Sequence, residues 1–206
     1  MADVIPFLAA LLADPRRVGA IAPSGAALAE AITREISPCS APVIELGPGT
    51  GAFTQRLLGR GIPEHRLALV EHGPAFADLL ARRYGRAQIL RMDATRLKHV
   101  AIFDGEKAGA VVSGIPLLSL SARDVMGILR GAFHHLREDG AFYQFTYGPR
   151  CPVRRRILDR LDLSATRIGG ALVNMPPASV YRFTRRARPR RHHAQTASMQ
   201  RLAEPT

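Results

Sequence analysis

The chain is short of cysteine, of acidic residues and of long apolar runs. Its 206 residues hold two cysteines, Cys39 and Cys151. They lie too far apart for a metal-ligand spacing and make no disulfide framework, which fits a reducing compartment. No stretch approaches the roughly 18 consecutive apolar residues of a membrane-spanning helix. The N-terminus is apolar but begins with Asp3 and carries no basic stretch, so a secretory signal is not expected. Asp and Glu number 17 against 29 Lys and Arg, a net charge of +12. That excess points to an anionic partner, either nucleic acid or an anionic membrane surface; a basic surface that serves only solubility is the plain alternative. At 47% hydrophobic residues the chain is globular, and its length suits one domain.

What the chain does have is V-I-E-L-G-P-G-T-G-A-F at 43–53. An apolar strand runs into a turn with Gly47, Gly49 and Gly51, and a helical pattern follows at once. A turn of this kind brings bare backbone against a ligand, because a side chain at Gly47 or Gly49 would block the approach. The dinucleotide fingerprint is G-x-G-x-x-G, with a helix N-terminus aimed at a pyrophosphate. This chain reads E-L-G-P-G-T-G instead. The stretch resembles motif I of the class I S-adenosylmethionine-dependent methyltransferases, whose ligand has no phosphate.

In chain order, 3–13 reads as a short helix with Asp3 as cap and Pro6 in its first turn. Val4, Ile5, Phe7, Leu8, Leu11 and Leu12 cover more than half its circumference, and Arg16 and Arg17 follow Asp14-Pro15. Such a helix lies at a lipid interface or packs on the core, and pattern alone does not choose. Residues 18–25 are too punctuated by glycine and proline for regular structure, and form either a hinge or a lid over a ligand. Ser24 is placed as the cap of a helix over 25–36, with Leu28, Ala31 and Ile32 on one face. The body then alternates: strand 42–46, helix 52–60, strand 66–71, helix 74–84, strand 87–91, a helical turn at 94–98, strand 109–113, helix 121–136, strand 140–147, helix 152–161, and strands near 164–173 and 178–186. This is an α/β chain with a seven-stranded, mostly parallel sheet and helices on both faces. The divisions are an N-terminal helical part over 1–41, a catalytic domain over 42–186 and a basic, disordered tail over 187–206.

In such sheets ligands sit at the carboxyl ends of the strands. Glu71 ends the second strand, 22 residues after Gly49, and can accept ribose hydroxyls; His72 follows it. Asp93 follows the third strand and can accept an adenine amine, with Met92 as a soft apolar wall and Ala94 beside it. With Glu45, Gly47, Gly49, Thr50, Gly51 and Ser113 these make the candidate cofactor set. Each carboxylate alone is as readily a helix cap or a surface charge; together, behind a glycine turn, they favour the ligand. The fourth strand ends S-G-I-P-L-L at 113–118. Base-methylating enzymes usually carry an Asn/Asp-Pro-Pro-Tyr type motif there, whose aromatic stacks on the base. Ser113 replaces its polar residue and Leu117 its aromatic, which speaks against a base and for a substrate with a hydrocarbon body. Tyr147, ending the fifth strand, can aim its hydroxyl at a reacting amine or be satisfied in the core. Arg150 can hold a phosphate. Arg154, Arg155 and Arg156 read as a solvated helix face.

P-R-R-V-G-A-I-A-P-S at 15–24, S-G-I-P-L-L at 113–118, F-T-Y-G-P at 145–149 and N-M-P-P-A-S-V-Y-R-F at 174–183 carry a further resemblance. With the glycine motif they are similar to the soluble bacterial phospholipid N-methyltransferases, which convert phosphatidylethanolamine to phosphatidylcholine. Enzymes that methylate ornithine lipids look similar, and so, more distantly, do ribosomal RNA adenine dimethylases, which typically add a helical C-terminal domain that this chain has no room for. The resemblance implies the class I methyltransferase fold, with S-adenosyl-L-methionine as cofactor and S-adenosyl-L-homocysteine as product. It implies a peripheral, monomeric enzyme on the inner face of a bacterial membrane, with no nucleic-acid partner and no metal. Ile5, Phe7, Leu8, Leu11, Leu12, Arg16 and Arg17 would contact anionic lipid. Ile21, Gly114, Ile115, Tyr147 and Arg150 would line the phospholipid site, with Tyr147 and Ser113 nearest the chemistry.

Overall fold

The computed structural model describes residues 22–171 and 177–187. The expected N-terminal helix, the start of the 18–25 segment, Asn174 with its neighbours, and the tail from 188 lie outside the described residues.

Seven strands form one sheet: β1 (Val43–Leu46), β2 (Leu67–Glu71), β3 (Gln88–Arg91), β4 (Ala108–Ser113), β5 (Leu136–Tyr147), β6 (Leu163–Ala171) and β7 (Ala178–Arg185). Their order is β3-β2-β1-β4-β5-β7-β6. The first five run parallel, and β7 runs antiparallel to both β5 and β6. The parallel strands are short apolar runs because helices cover both their faces; every residue of β1, β2 and β4 is buried.

Among the described residues five helices supply the cover: α1 (Ala22–Thr33), α2 (Ala52–Gly59), α3 (Pro74–Arg83), α4 (Ala122–His135) and α5 (Arg155–Arg160). Leu28 and Ile32 of α1, Leu57 of α2 and Leu80 of α3 pack on one face with Val43, Leu69 and Val112. Val125, Ile128, Leu129 and Ala132 of α4, with Ile157 and Leu158 of α5, pack on the other with Ile44, Leu46 and Val111. Alternate residues of one strand therefore serve two separate cores.

Three boundaries differ from expectation. α1 starts at Ala22, so Ser24 stands inside it and is not its cap. Pro23 falls in the first turn, where its missing N–H has no partner to lose. β5 starts at Leu136, directly after α4, four residues earlier than the alternation marks, and its pairing with β4 shifts between Ala108 and Ala110. α5 is six residues long and starts three residues late, since Arg154 is extended and Pro152 and Val153 are buried in the loop before it.

The sheet sets two loops against each other at its carboxyl edge. Gly114 donates its N–H to Leu46 O at 2.8 Å. A Cβ on Gly114 would lie 2.6 Å from Gly47 O, and one on Gly47 would lie 3.0 Å from Ile115 Cγ1. Gly47 also has φ of +67°, the left-handed region. Replacement of Gly114 by alanine is expected to cost about 1–3 kcal/mol, since the obstacle is backbone. Gly59→Ala, whose Cβ meets nothing within 4 Å, should leave the thermal midpoint unchanged or slightly raised. Thermal unfolding of both variants measures the contrast.

Candidate active site

The glycine turn is bound from below and from the side. Glu45 points into the face that α2 covers, where its Oε2 accepts from Thr54 Oγ1 at 2.6 Å. The carboxyl is fully buried, and among the described residues its Oε1 has no hydrogen-bond partner. Burial pushes its pKa up to about 7; the Thr54 hydroxyl and amide favour the anion, and the charge of Glu71 adds to the rise. Glu71, nearly buried at the end of β2, accepts from Gly49 N at 3.1 Å and Gly73 N at 2.8 Å. One carboxylate thus ties the turn to the segment after β2.

Asp93 is exposed and caps the 3-10 turn Ala94–His99, accepting from Thr95 N at 2.8 Å. That amide holds its carboxyl below the ordinary range, against a smaller opposing effect of burial and with help from His72 and Arg96. His72 is exposed, Met92 and Thr50 are half-buried, and Ala94 and Gly51 are buried behind them. Glu45, fully buried, differs from expectation and supports the turn from the core; the other expected cofactor residues on β1, β2 and β3 gather along one stretch of the carboxyl edge.

The neighbouring β4–β5 stretch differs from expectation at Ser113. Its residue is fully buried, and its hydroxyl oxygen accepts from Ile115 N at 3.3 Å. A ligand cannot touch it; the side chain shapes the loop. Gln144, register partner of Ser113, is the residue that sequence reading missed. Its Nε2 donates to Ile115 O at 2.9 Å and to Phe145 O at 2.8 Å, while its buried Oε1 has no partner. The signal was a lone amide inside the aromatic run Y-Q-F-T-Y at 143–147.

Tyr147 lies on the opposite face of β5 from Gln144. Its ring meets Phe145 edge-on at 5.6 Å, and Phe145 meets Phe53 of α2 at 6.0 Å. Burial alone raises the Tyr147 pKa above its usual 10, so the phenol stays neutral at pH 7 and cannot act as a phenolate base. Gly114 and Ile115 are half-buried at the cleft, and Arg150 is exposed just beyond the turn that Tyr181 holds by donating to Pro149 O at 2.5 Å.

This strand order, a glycine turn after β1 and carboxylates after β2 and β3 define a class I S-adenosylmethionine-dependent methyltransferase. The residues present fit that cofactor. A Cβ on Gly49 would meet nothing within 4 Å, so space lies open over the turn. Glu71 spends two of about four acceptor positions on backbone N–H groups, and Asp93 keeps acceptor capacity beyond Thr95.

The comparisons narrow the class. No family model matches the chain. The ornithine lipid N-methyltransferase of Singulisphaera acidiphila is 30% identical over 188 residues, covering 88% of this chain and 95% of that protein. At that identity and span, the chain belongs to its family. Ribosomal RNA small subunit methyltransferase A of Bradyrhizobium diazoefficiens is 33% identical over 94 residues, 41% of this chain and 32% of that protein. Among solved structures, the glycopeptide N-methyltransferase MtfA superposes with a TM-score of 0.62 at 16% identity, covering 79% of this chain and 90% of that one. At that identity it establishes the fold alone.

Glu45 yields a pH test. Its folded-state pKa of about 7 stands above the ordinary carboxyl value of 4.5, so the folded chain keeps a proton that the unfolded chain releases. The contribution is fully present below 4.5 and is lost as pH rises through 7. Relative to wild type, Glu45→Gln should gain thermal stability steadily between pH 5 and pH 7.5. A constant difference across that range would mean that Glu45 does not titrate there.

Proposed function

We propose that this protein transfers a methyl group from S-adenosylmethionine to the amine of a membrane amino lipid, with an ornithine-type lipid as the first acceptor to test. The similarity over nearly the whole length of the ornithine lipid N-methyltransferase carries this reading. The acceptor loop agrees with it: half-buried Ile115 and Pro116 offer apolar surface and no aromatic platform for a base. The stretches at 15–24 and 145–149 resemble enzymes that methylate phosphatidylethanolamine, which makes that lipid the second acceptor. Both head groups put a primary amine near an anion, a carboxylate in one and a phosphate in the other, and exposed Arg150 suits either.

Glu71 and Asp93 would hold the cofactor's ribose and adenine, and the backbone at Gly47 and Gly49 would pass beneath its methionine part. When bound, the cofactor supplies an electrophilic sulfonium methyl. The chain's own task is to present a neutral amine in line with it. An alkylammonium has a pKa of about 10.4 in water, and the apolar walls at Ile115 and Pro116 lower it by desolvation. Holding the nitrogen about 3 Å from its target supplies a large part of the acceleration. Ser113 and Gln144 act through the loop, fixing Ile115 from both sides. Tyr147, as a neutral phenol, orients the amine by accepting or donating one hydrogen bond.

Label from S-adenosylmethionine should pass to the lipid phase of vesicles containing ornithine lipid, and more slowly to phosphatidylethanolamine. Label in a structured RNA, and none in lipid, would overturn the reading. Tyr147→Phe should lower turnover roughly tenfold, the value of about one hydrogen bond, with cofactor affinity unchanged by calorimetry. Equal turnover would remove Tyr147 from the mechanism.

A further inference from the structure

We infer that the carboxyl edge beside the 113–119 loop is itself a docking surface for an anionic bilayer, with Leu118 entering the hydrocarbon and arginines of the same edge meeting the lipid phosphates. Leu118 is 60% exposed and is the one large hydrophobic residue left exposed among the described residues. It lies in the 3-10 turn Leu117–Ser119, which follows β4 at the carboxyl edge. The turn is held firmly. Leu117 is 2% exposed and anchors it in the core, Ser119 N donates to Pro116 O at 2.9 Å, and Gln144 and Ser113 fix Ile115. Leu118 is thus presented outward by a fixed backbone, with half-buried Ile115, Pro116 and Leu120 behind it.

The charge of this edge matches a lipid surface. Arg123 stands in the first turn of α4, and Arg150, Arg154 and Arg155 stand on the loop and first turn after β5; all four are exposed. Two acids accompany them: Asp124 accepts from Ser121 Oγ at 2.7 Å at the helix cap, and Asp159 pairs with Arg155 at 3.9 Å, so the cations offered to lipid are Arg123, Arg150 and Arg154. One apolar residue among cations is too small for a stable protein interface, which buries about 800 Å² per partner. It suits a bilayer, where a single side chain reaches hydrocarbon while guanidinium groups stay at head-group level. The inference rests on the amino-lipid reading for the purpose of docking, and its test does not.

The test is co-sedimentation of the full chain with vesicles that contain no methyl acceptor: phosphatidylcholine alone, or phosphatidylcholine with phosphatidylglycerol. Wild type should bind the anionic vesicles preferentially. Leu118→Glu should bind them roughly five- to tenfold more weakly, the scale of burying most of one leucine. Arg123→Ala with Arg154→Ala should weaken binding and flatten its dependence on salt. Arg86→Ala with Lys107→Ala removes equal charge where these residues lead into β3 and β4, at the opposite edge, and should change little. Unchanged cofactor affinity and thermal midpoint verify the fold of each variant. Wild-type binding by Leu118→Glu, equal losses from the two charge pairs, or no vesicle binding by wild type would each overturn the inference. Anionic vesicle binding that depends on Leu118, without label in any lipid, would sink the amino-lipid reading and leave the surface standing.

Discussion

The contact between Gly47 and Gly114 governs this molecule. The two residues end adjacent parallel strands, and Gly47 O stands where any Gly114 side chain would begin. In the proposed function one loop would face the cofactor and the other the acceptor. Their contact would then fix how far apart the methyl donor and the amine are held, the variable to which a displacement reaction is most sensitive. The surrounding polar groups serve the same geometry. Glu71 holds the first loop through Gly49, and Gln144 holds the second through Ile115.

These supports lie in the interior, where a misplaced polar atom is costly. Glu45 Oε1, Gln144 Oε1 and Thr146 Oγ1 are buried without partners. Each forgoes roughly 1–3 kcal/mol of solvation, which marks the carboxyl edge as a place where packing has been subordinated to positioning. The surface ion pairs contribute much less. Arg66 meets Glu106 at 2.6 Å and Arg182 meets Glu35 at 3.1 Å, both with substantially exposed partners, and such pairs are worth about 0–1 kcal/mol. They orient α1 and the loop before β4 more than they stabilise the sheet.

The basic charge acquires meaning from its placement. A net charge of +12 fits RNA as well as lipid, and a local similarity to ribosomal RNA methyltransferases exists. The proposed acceptor loop weighs toward lipid, because a flipped or unpaired base is usually held by a stacking surface and this loop carries isoleucine, proline and leucine. Aromatic rings are present nearby, but Phe53, Phe145 and Tyr147 pack on one another edge to face.

The order of strands and helices was legible in the chain, since short apolar runs alternate with amphipathic ones and glycine or proline marks most junctions. So were the glycine turn and the acids at 71 and 93, because strand ends in a doubly wound sheet place ligands by rule. The helix start at Ala22 was hidden by a serine that looked like a cap, and the early start of β5 by the polar run Arg137-Glu138-Asp139, whose last two residues are exposed. The roles of Ser113 and Gln144 were not legible at all. They are 31 residues apart in sequence and become neighbours through strand pairing, and that pairing decides that one side chain is sealed while the other reaches Ile115. Local pattern settles which elements form, because periodicity and turn chemistry act over a few residues. Burial and partnership are settled by the sheet, because they depend on which distant strands lie side by side.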